Sequence, residues 1–371
     1  KYYRVYADVE LGNIESNVEA LMALTPAGTK SLAVVKADGY GHGDVAVAKA
    51  VYSKVFGYAV ATLDEAVNLR ENGIDKPILI LGFVNTDEYE TLVENEVAAT
   101  VFDYETAEEL SEAAKKTGKT AICHIKVDTG MRRIGMEPDE SGVMLVKKIK
   151  QLPNLNVRGI FTHFAVADEE GEPYESYTKK QFDLFRKVIE ETEKRWGQSF
   201  VLHHCANTGA TAVYPDTFMD MVRPGLLLYG YGKHAALLGL TPVMTMKTTV
   251  STIKIYPPGT PISYGGIYVT DKTTRVGVIP YGYADGFFRS LSGKCSLMTK
   301  NGPARQLGRI CMDMAMIDLT DKPDVDVGSE IEIFGRNNSL DDMAKAAGTI
   351  PYELTCAVSK RVPRIYIENG E

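Results

Sequence analysis

The chain has 371 residues, of which 44% are hydrophobic, 24% charged and 9% aromatic, proportions of an ordinary packed protein that exclude disordered, collagen-like and disulfide-scaffold classes. Acidic residues number 49 against 41 basic ones, a net charge of −8, so no basic footprint favours a nucleic-acid or anionic-membrane partner. Apolar runs such as Ile78–Leu81 and Leu226–Leu228 are far shorter than the ~20 residues that span a bilayer, so no membrane contact is expected. Five scattered cysteines (Cys123, Cys205, Cys295, Cys311 and Cys356) form no C-x-x-C pair, which points to reduced thiols and a cytoplasmic setting. The six histidines include one adjacent pair, His203-His204, and no H-E-x-x-H, so no metal site is expected. Because it begins at Lys1 rather than at a methionine, the sequence reads as processed or cut from something longer.

In chain order, the first two thirds alternate β-branched runs with helical stretches. Candidate strands are Leu32–Val35, Tyr58–Ala61, Ile78–Leu81, Ala98–Val101, Ala121–Val127, Val157–Thr162, Phe200–His203 and Met219–Val222. Between them, segments such as Tyr104–Lys116 and Tyr177–Trp196 carry apolar residues at three-to-four spacing with Glu and Lys opposite, the pattern of helices covering a sheet. Eight strands so interleaved predict an α/β fold with an N-terminal (β/α)8 barrel rather than an open doubly wound sheet. After Gly230, runs at Val243–Ile255, Arg275–Ile279, Arg305–Ile310, Met314–Leu319 and Glu330–Phe334 alternate with Gly- and Pro-rich turns and predict a mostly-β C-terminal domain. The boundary is expected within Gly230–Thr241, dividing the chain into a barrel over 1–235 and a β domain over 241–371.

The sharpest local signal is Ala33-Val34-Val35-Lys36-Ala37-Asp38-Gly39-Tyr40-Gly41-His42-Gly43. A lysine ends an apolar strand and glycines alternate through the following turn, which puts an amine at the C-terminal mouth of a barrel, where such folds keep their chemistry. A dry setting disfavours the ammonium and makes the amine reactive. A lysine snorkelling from a strand end into water is the plain alternative.

This run resembles the pyridoxal-phosphate attachment signature of the alanine racemase family. The resemblance continues through His124–Gly135, Gly159–Phe164, Ala206-Asn207, Val222–Gly225, Ser263–Gly265, Gly282–Gly286, Gly308–Asp313 and Tyr352-Glu353. It implies a pyridoxal 5′-phosphate enzyme, a homodimer with shared active sites, that interconverts L- and D-alanine and supplies D-alanine for peptidoglycan. It also implies Lys36 and Tyr264 as the two acid/base groups that a proton's removal from one face of the α-carbon and return to the other requires. Tyr264 would come from the neighbouring subunit; on its own, Ser-Tyr-Gly reads as a structural turn. Arg223 would contact the pyridine nitrogen as an obligate donor that leaves the ring a weaker electron sink; otherwise it is an arginine before a proline turn. Tyr40, Thr208, Gly225, Leu226 and Tyr352 would hold the phosphate. His163 and His204 would stand beside the ring, or else be structural histidines. Arg133 and the neighbouring subunit's Met312 would meet the substrate carboxylate. Lys126, close to Arg133, would be carbamylated, the alternative being a pairing with Asp128 or with phosphate. Residues 1–9 are candidates to pair with the C-terminal domain.

Three positions depart from the commonest family pattern: Arg132 stands for glycine, Thr208-Gly209 for Ser-Ala, and Met314 for glutamine. They bear on substrate range and cofactor affinity. Related serine racemases, which are fused to membrane segments, carry asparagine in place of Tyr352, so the tyrosine favours alanine. The alternatives are a serine or broad-specificity racemase, a basic-amino-acid decarboxylase, whose own signature is missing, and a non-catalytic pyridoxal-phosphate carrier, which would lack a β domain.

Overall fold

Strands with apolar side chains on both faces need cover on both sides, and a barrel ringed by helices supplies it. The computed structural model describes residues 4–197 and 199–368. Strand β1 (Val5–Glu10) and helix Leu11–Ala23 come first. Eight strands follow: β2 (Lys30–Val34), β3 (Gly57–Val60), β4 (Ile78–Ile80), β5 (Ala99–Val101), β6 (Ala121–Lys126), β7 (Leu155–Phe161), β8 (Leu202–His204) and β9 (Met221–Val222). All their pairings are parallel, in the orders β4-β3-β2-β9 and β5-β6-β7-β8. The two halves meet where Ala98 N–H donates to Ile78 O (2.8 Å) and Asp220 N–H donates to His203 O (3.2 Å), closing the barrel. Each of the eight runs read from the sequence overlaps one of these strands.

The outer helices follow local rules. Helix Tyr104–Thr117 starts where the Asp103 carboxylate accepts the Thr106 N–H and stops at left-handed Gly118, a polar cap and a glycine end. Its buried stripe of Ala107, Leu110, Ala113 and Ala114 packs inward.

Beyond the barrel lie β10 (Met244–Thr249), β11 (Thr252–Tyr256), β12 (Pro261–Ile262), β13 (Tyr268–Val269), β14 (Thr274–Ile279), β15 (Ser296–Thr299), β16 (Gly302–Leu307), β17 (Ala315–Asp318), β18 (Glu330–Phe334) and β19 (Arg364–Ile367). Nine strands form one sheet in the order β11-β14-β17-β16-β15-β18-β10-β1-β19. β1 therefore sits between β10, antiparallel, and β19, parallel; residues 1–3 of the expected 1–9 segment, and 369–371 of the expected β domain, lie outside the described residues. The single run read over Val243–Ile255 is two strands, because β10 pairs with β1 and β18 while β11 pairs with β14 at the far end of the sheet. The sequence pattern also missed β15, β19 and the helices Leu340–Ala347 and Pro351–Cys356. The short helix matters most, since it carries Tyr352. Among the described residues no helix is long and apolar enough to cross a membrane.

One buried carboxylate ties distant segments together. Asp285, fully buried, accepts its own loop's Gly282 N–H (3.0 Å) and pairs with Arg4 and with Arg361 Nε (2.8 Å). Asp285→Ala is expected to lower unfolding free energy in urea by about 2–4 kcal/mol, since a hydrogen bond to a charged group contributes roughly 1.5–3 and the half-exposed arginines recover water. A loss within the uncertainty of the measurement would show that the three segments are held by packing alone.

Candidate active site

Lys36 opens a turn of unusual hand. Ala37 (φ 53°, ψ 52°), Asp38 (φ 54°, ψ 47°) and Gly39 (φ 58°, ψ 45°) are left-handed, and Tyr40 (φ 52°) follows, at a cost of roughly 1–2 kcal/mol per non-glycine residue. The turn is over-determined by its bonds. Gly39 N–H donates to Val35 O (2.9 Å), Gly41 N–H to Ala37 O (2.9 Å) and Gly43 N–H to Asp38 O (2.8 Å). Glu65 accepts Ala37 N–H and Ala61 N–H, both at 2.7 Å, strapping the turn to the end of β3. A Cβ on Gly41 (φ 82°) would stand 2.1 Å from Thr355 O, so the turn presses directly on helix Pro351–Cys356.

Parallel strands deliver their C-terminal ends to one mouth, and four cations gather there. Lys36 comes just after β2, Lys126 ends β6, Arg133 follows in the next loop and Arg223 comes directly after β9. Burial, with the Arg133 charge nearby, lowers the pKa of Lys36. Lys126 is buried and shifted to about 7, first by desolvation, then by Arg133 and Arg223. The half-buried His163 is pushed well down by burial and by all four cations. Phe161 offers a partial remedy: its ring lies 5.4 Å from Lys126 Nζ and 5.3 Å from the Arg223 guanidinium carbon, distances at which the π-face attracts a cation.

Arg223 is fixed from behind. Its Nη2 donates to Thr162 O (2.8 Å) and Cys205 O (3.2 Å), and its Nη1 to His204 Nδ1 (2.8 Å). Arginine only donates, so neutral His204 carries its proton on Nε2 and passes a hydrogen bond to His124 Nδ1 (2.8 Å). His204, fully buried, stacks on Phe161 at 4.8 Å; it supports Arg223 from below rather than lining the mouth. Burial, with Arg158 and Arg223, drives His124 down to about 3, and burial drives His204 well below its ordinary value. Arg223 itself falls to about 10 by burial and keeps its charge at neutral pH.

Asp128 does not pair with Lys126. Its carboxylate accepts the backbone N–H groups of Gly130 (2.9 Å), Arg132 (2.9 Å) and Arg133 (3.1 Å), shaping the loop that presents Arg133. Among the described residues no hydrogen bond or ion pair reaches Lys126 Nζ. Arg132, left-handed at φ 56°, points its side chain instead to Glu137 (3.2 Å).

Tyr40, Thr208, Gly225 and Tyr352 form a second cluster. The Tyr40 and Tyr352 rings are 5.6 Å apart, Thr208 lies near the Tyr352 hydroxyl, and Gly225 N–H donates to Thr208 Oγ1 at 2.7 Å. A Cβ on Gly225 would stand 2.7 Å from the Tyr40 hydroxyl, so glycine keeps a hollow open between hydroxyl and amide donors; Leu226 begins the short turn beyond it. Tyr264 and Met312 are elsewhere. They lie on the β domain, 68% and 53% exposed, lining a depression with Cys311, Asp313 and Met314. The sequence assigns no role to Glu65, His124 or His42, and offers Asp128 only as a partner for Lys126. His124 and Asp128 had a local signal, lying two residues before and after Lys126 and so on its face of an extended run.

A desolvated lysine among cations at the mouth of a (β/α)8 barrel, followed by a β domain, defines a class of two-domain protein built to act on anionic ligands. The family models for the alanine racemase N-terminal and C-terminal domains match residues 9–233 and 243–366. The chain is 41% identical to an alanine racemase of Clostridium novyi (strain NT) over 378 residues, covering 99% of this chain and 96% of that one. A solved alanine racemase structure from Clostridium difficile 630 matches with a TM-score of 0.94 at 37% identity, covering 99% and 96% of the two chains. Another, from D-cycloserine-producing Streptomyces lavendulae, matches at 0.93 and 34%, covering 99% and 98%. The chain belongs to the alanine racemase family, whose members are isomerases.

The depressed Lys126 sets a pH dependence. Between pH of about 7 and the ordinary lysine value of 10.5 the unfolded chain holds a proton that the folded chain has released, so this group makes stability rise with pH across that window. In cofactor-free, carbon-dioxide-free solution, the stability of the parent relative to Lys126→Met should therefore rise as pH goes from 7 to 10, by urea unfolding. A flat difference would place the Lys126 pKa at its ordinary value.

Proposed function

We propose that this chain interconverts L-alanine and D-alanine with pyridoxal 5′-phosphate held at Lys36, in a homodimer whose two sites each combine residues of both copies. The carrying observation is the gathering of Lys36, Lys126, Arg133 and Arg223 about one mouth, a cationic surplus that a phosphate and a substrate carboxylate would balance. The residues present fit the cofactor: a desolvated amine, an obligate donor in Arg223, and a hollow at Gly225 ringed by Tyr40, Thr208 and Tyr352. When bound, pyridoxal 5′-phosphate draws electron density from the α-carbon and so acidifies its hydrogen.

Each residue then has a task. Lys36, made less basic by burial, takes or returns the proton on one face of the α-carbon, and Tyr264 of a second copy does so on the other. Arg133 holds the substrate carboxylate as a planar donor, with the Met312 backbone of the second copy beside it. Arg223 offers the ring nitrogen a hydrogen bond without giving up its proton, while neutral His204 and His124 leave the charge on the guanidinium. His163 stands beside the ring, and Tyr40, Thr208, Tyr352 and the amides of Gly225 and Leu226 hold the phosphate. Lys126, with a pKa of about 7 and no carboxylate partner, is nucleophilic enough to add carbon dioxide. Its nitrogen bonds the carbon, a proton leaves to water, and the resulting anion offsets Arg133. We assign to the reaction the cytoplasmic supply of D-alanine for peptidoglycan.

The pairing of two copies is supported by the outward-facing Tyr264 and Met312 of the β domain, with Ile267, Val269 and Met314 also exposed there. Lys36→Ala and Tyr264→Ala proteins should each be nearly inactive in L- to D-alanine conversion. After full exchange of equal amounts, half the dimers are mixed and each has one intact site, so about a quarter of parental activity should return. Confirmed exchange without recovery would overturn the shared site.

Substrate choice is tested at Tyr352. Tyr352→Asn should raise serine turnover relative to alanine by about 1–3 kcal/mol of transition-state discrimination, the usual worth of one small group in a pocket. An unchanged serine-to-alanine ratio of kcat/KM would remove Tyr352 from specificity and favour a broad-specificity racemase.

A further inference from the structure

The left-handed turn carries two groups that the proposed function depends on, the Lys36 amine and the Tyr40 hydroxyl, and its closing carbonyls have a side-chain donor. His42 Nδ1 lies 2.9 Å from Tyr40 O and 3.1 Å from Gly39 O. Both neighbours are acceptors, so the proton is on Nδ1 and is shared between them. The ring is fully buried, and its Nε2 has no hydrogen-bond partner among the described residues. An apolar ring of similar size would fill the same space without leaving a buried nitrogen unpaired. The histidine is therefore explained by its Nδ1–H.

The ring also supports Tyr40 from the side. His42 packs on Tyr229 with centroids 4.6 Å apart, Tyr229 packs on Tyr40 at 5.0 Å, and Tyr40 packs on Tyr352 at 5.6 Å. Tyr229 is anchored in turn, its hydroxyl donating to Val34 O at 3.0 Å on the strand that leads to Lys36. One imidazole thus touches the turn's backbone and the aromatic ladder that aims the Tyr40 hydroxyl at the Gly225 hollow.

We infer that His42 is a positioning residue: through its Nδ1–H it holds the strained turn that presents Lys36 and Tyr40, and so sets how tightly pyridoxal 5′-phosphate is gripped. This rests on the reading that the cofactor sits at Lys36 and Tyr40. Burial pushes the imidazole down to about 4, so the ring stays neutral and the donor stays in place across the ordinary working range of pH.

The test uses the holoenzyme and three variants. His42→Asn puts an amide N–H where Nδ1 stood; His42→Gln puts it near the Nε2 position, away from the carbonyls; His42→Phe keeps the ring and loses the donor. The readouts are the dissociation constant of pyridoxal 5′-phosphate by dialysis, the phosphorus-31 shift of the bound phosphate, thermal midpoints, and kcat and KM at saturating cofactor. The Phe and Gln variants should release cofactor about fivefold to tenfold more readily, the scale of one buried hydrogen bond, with the shift moved toward free cofactor and the loss mainly in kcat. The Asn variant should stay within about threefold of the parent. A Phe variant with parental affinity and phosphorus shift overturns the inference, as does an Asn variant as impaired as Gln at an unchanged thermal midpoint. If the Phe protein does not fold, the Asn and Gln pair decides by the same criterion. Borohydride fixation of cofactor to Lys36 in the parent separates the two levels: without it the functional reading fails and this one with it, whereas fixation with indistinguishable variants overturns this inference alone.

Discussion

Positive charge confined in a low-dielectric barrel mouth is the constraint around which the site is organised. Lys36, Lys126, Arg133 and Arg223 repel one another about this mouth, and three of them are accommodated in different ways. Arg223 is bonded to two carbonyls and a neutral imidazole. Lys126 shares the Phe161 face and gives up part of its charge. Arg133 sits at the exposed rim on a loop that Asp128 shapes. The acidic groups close by do other work, since Asp128 and Glu65 spend their oxygens on backbone N–H groups. A surplus of this kind is a standing attraction for anions and a reason for histidines in the same region to remain neutral.

The strained turn after β2 serves the same end. Left-handed backbone at alanine, aspartate and tyrosine survives because bonds from Val35, Glu65 and His42 and the pressure of Thr355 over-determine it. Strain held in this way fixes a lysine and a tyrosine with little freedom left to lose on binding. Helix Pro351–Cys356 lies against the turn and brings Tyr352 beside Tyr40, so a segment of the C-terminal third completes a cluster begun in the first forty residues. The β1 strand works in the reverse direction, entering the nine-stranded sheet between β10 and β19.

Sequence by itself determined the alternation of eight strands with helices and the change to β-rich pattern after Gly230, because period-two and three-to-four spacings are local properties. It also carried the motifs by which the family is recognised, since these are contiguous. The run at Val243–Ile255 shows the limit: continuous β pattern could not reveal a break imposed by strands choosing neighbours at opposite ends of a sheet. Only the tertiary structure decided that His204 lies beneath Arg223, that Asp128 serves backbone amides rather than Lys126, and that Tyr264 stands exposed in a depression of the β domain. The physical reason is the same throughout: hydrogen-bond partners and electrostatic neighbours are set by strand ends and loops that converge in space from positions far apart along the chain, and neither spacing nor composition encodes which of several polar groups a given donor will meet.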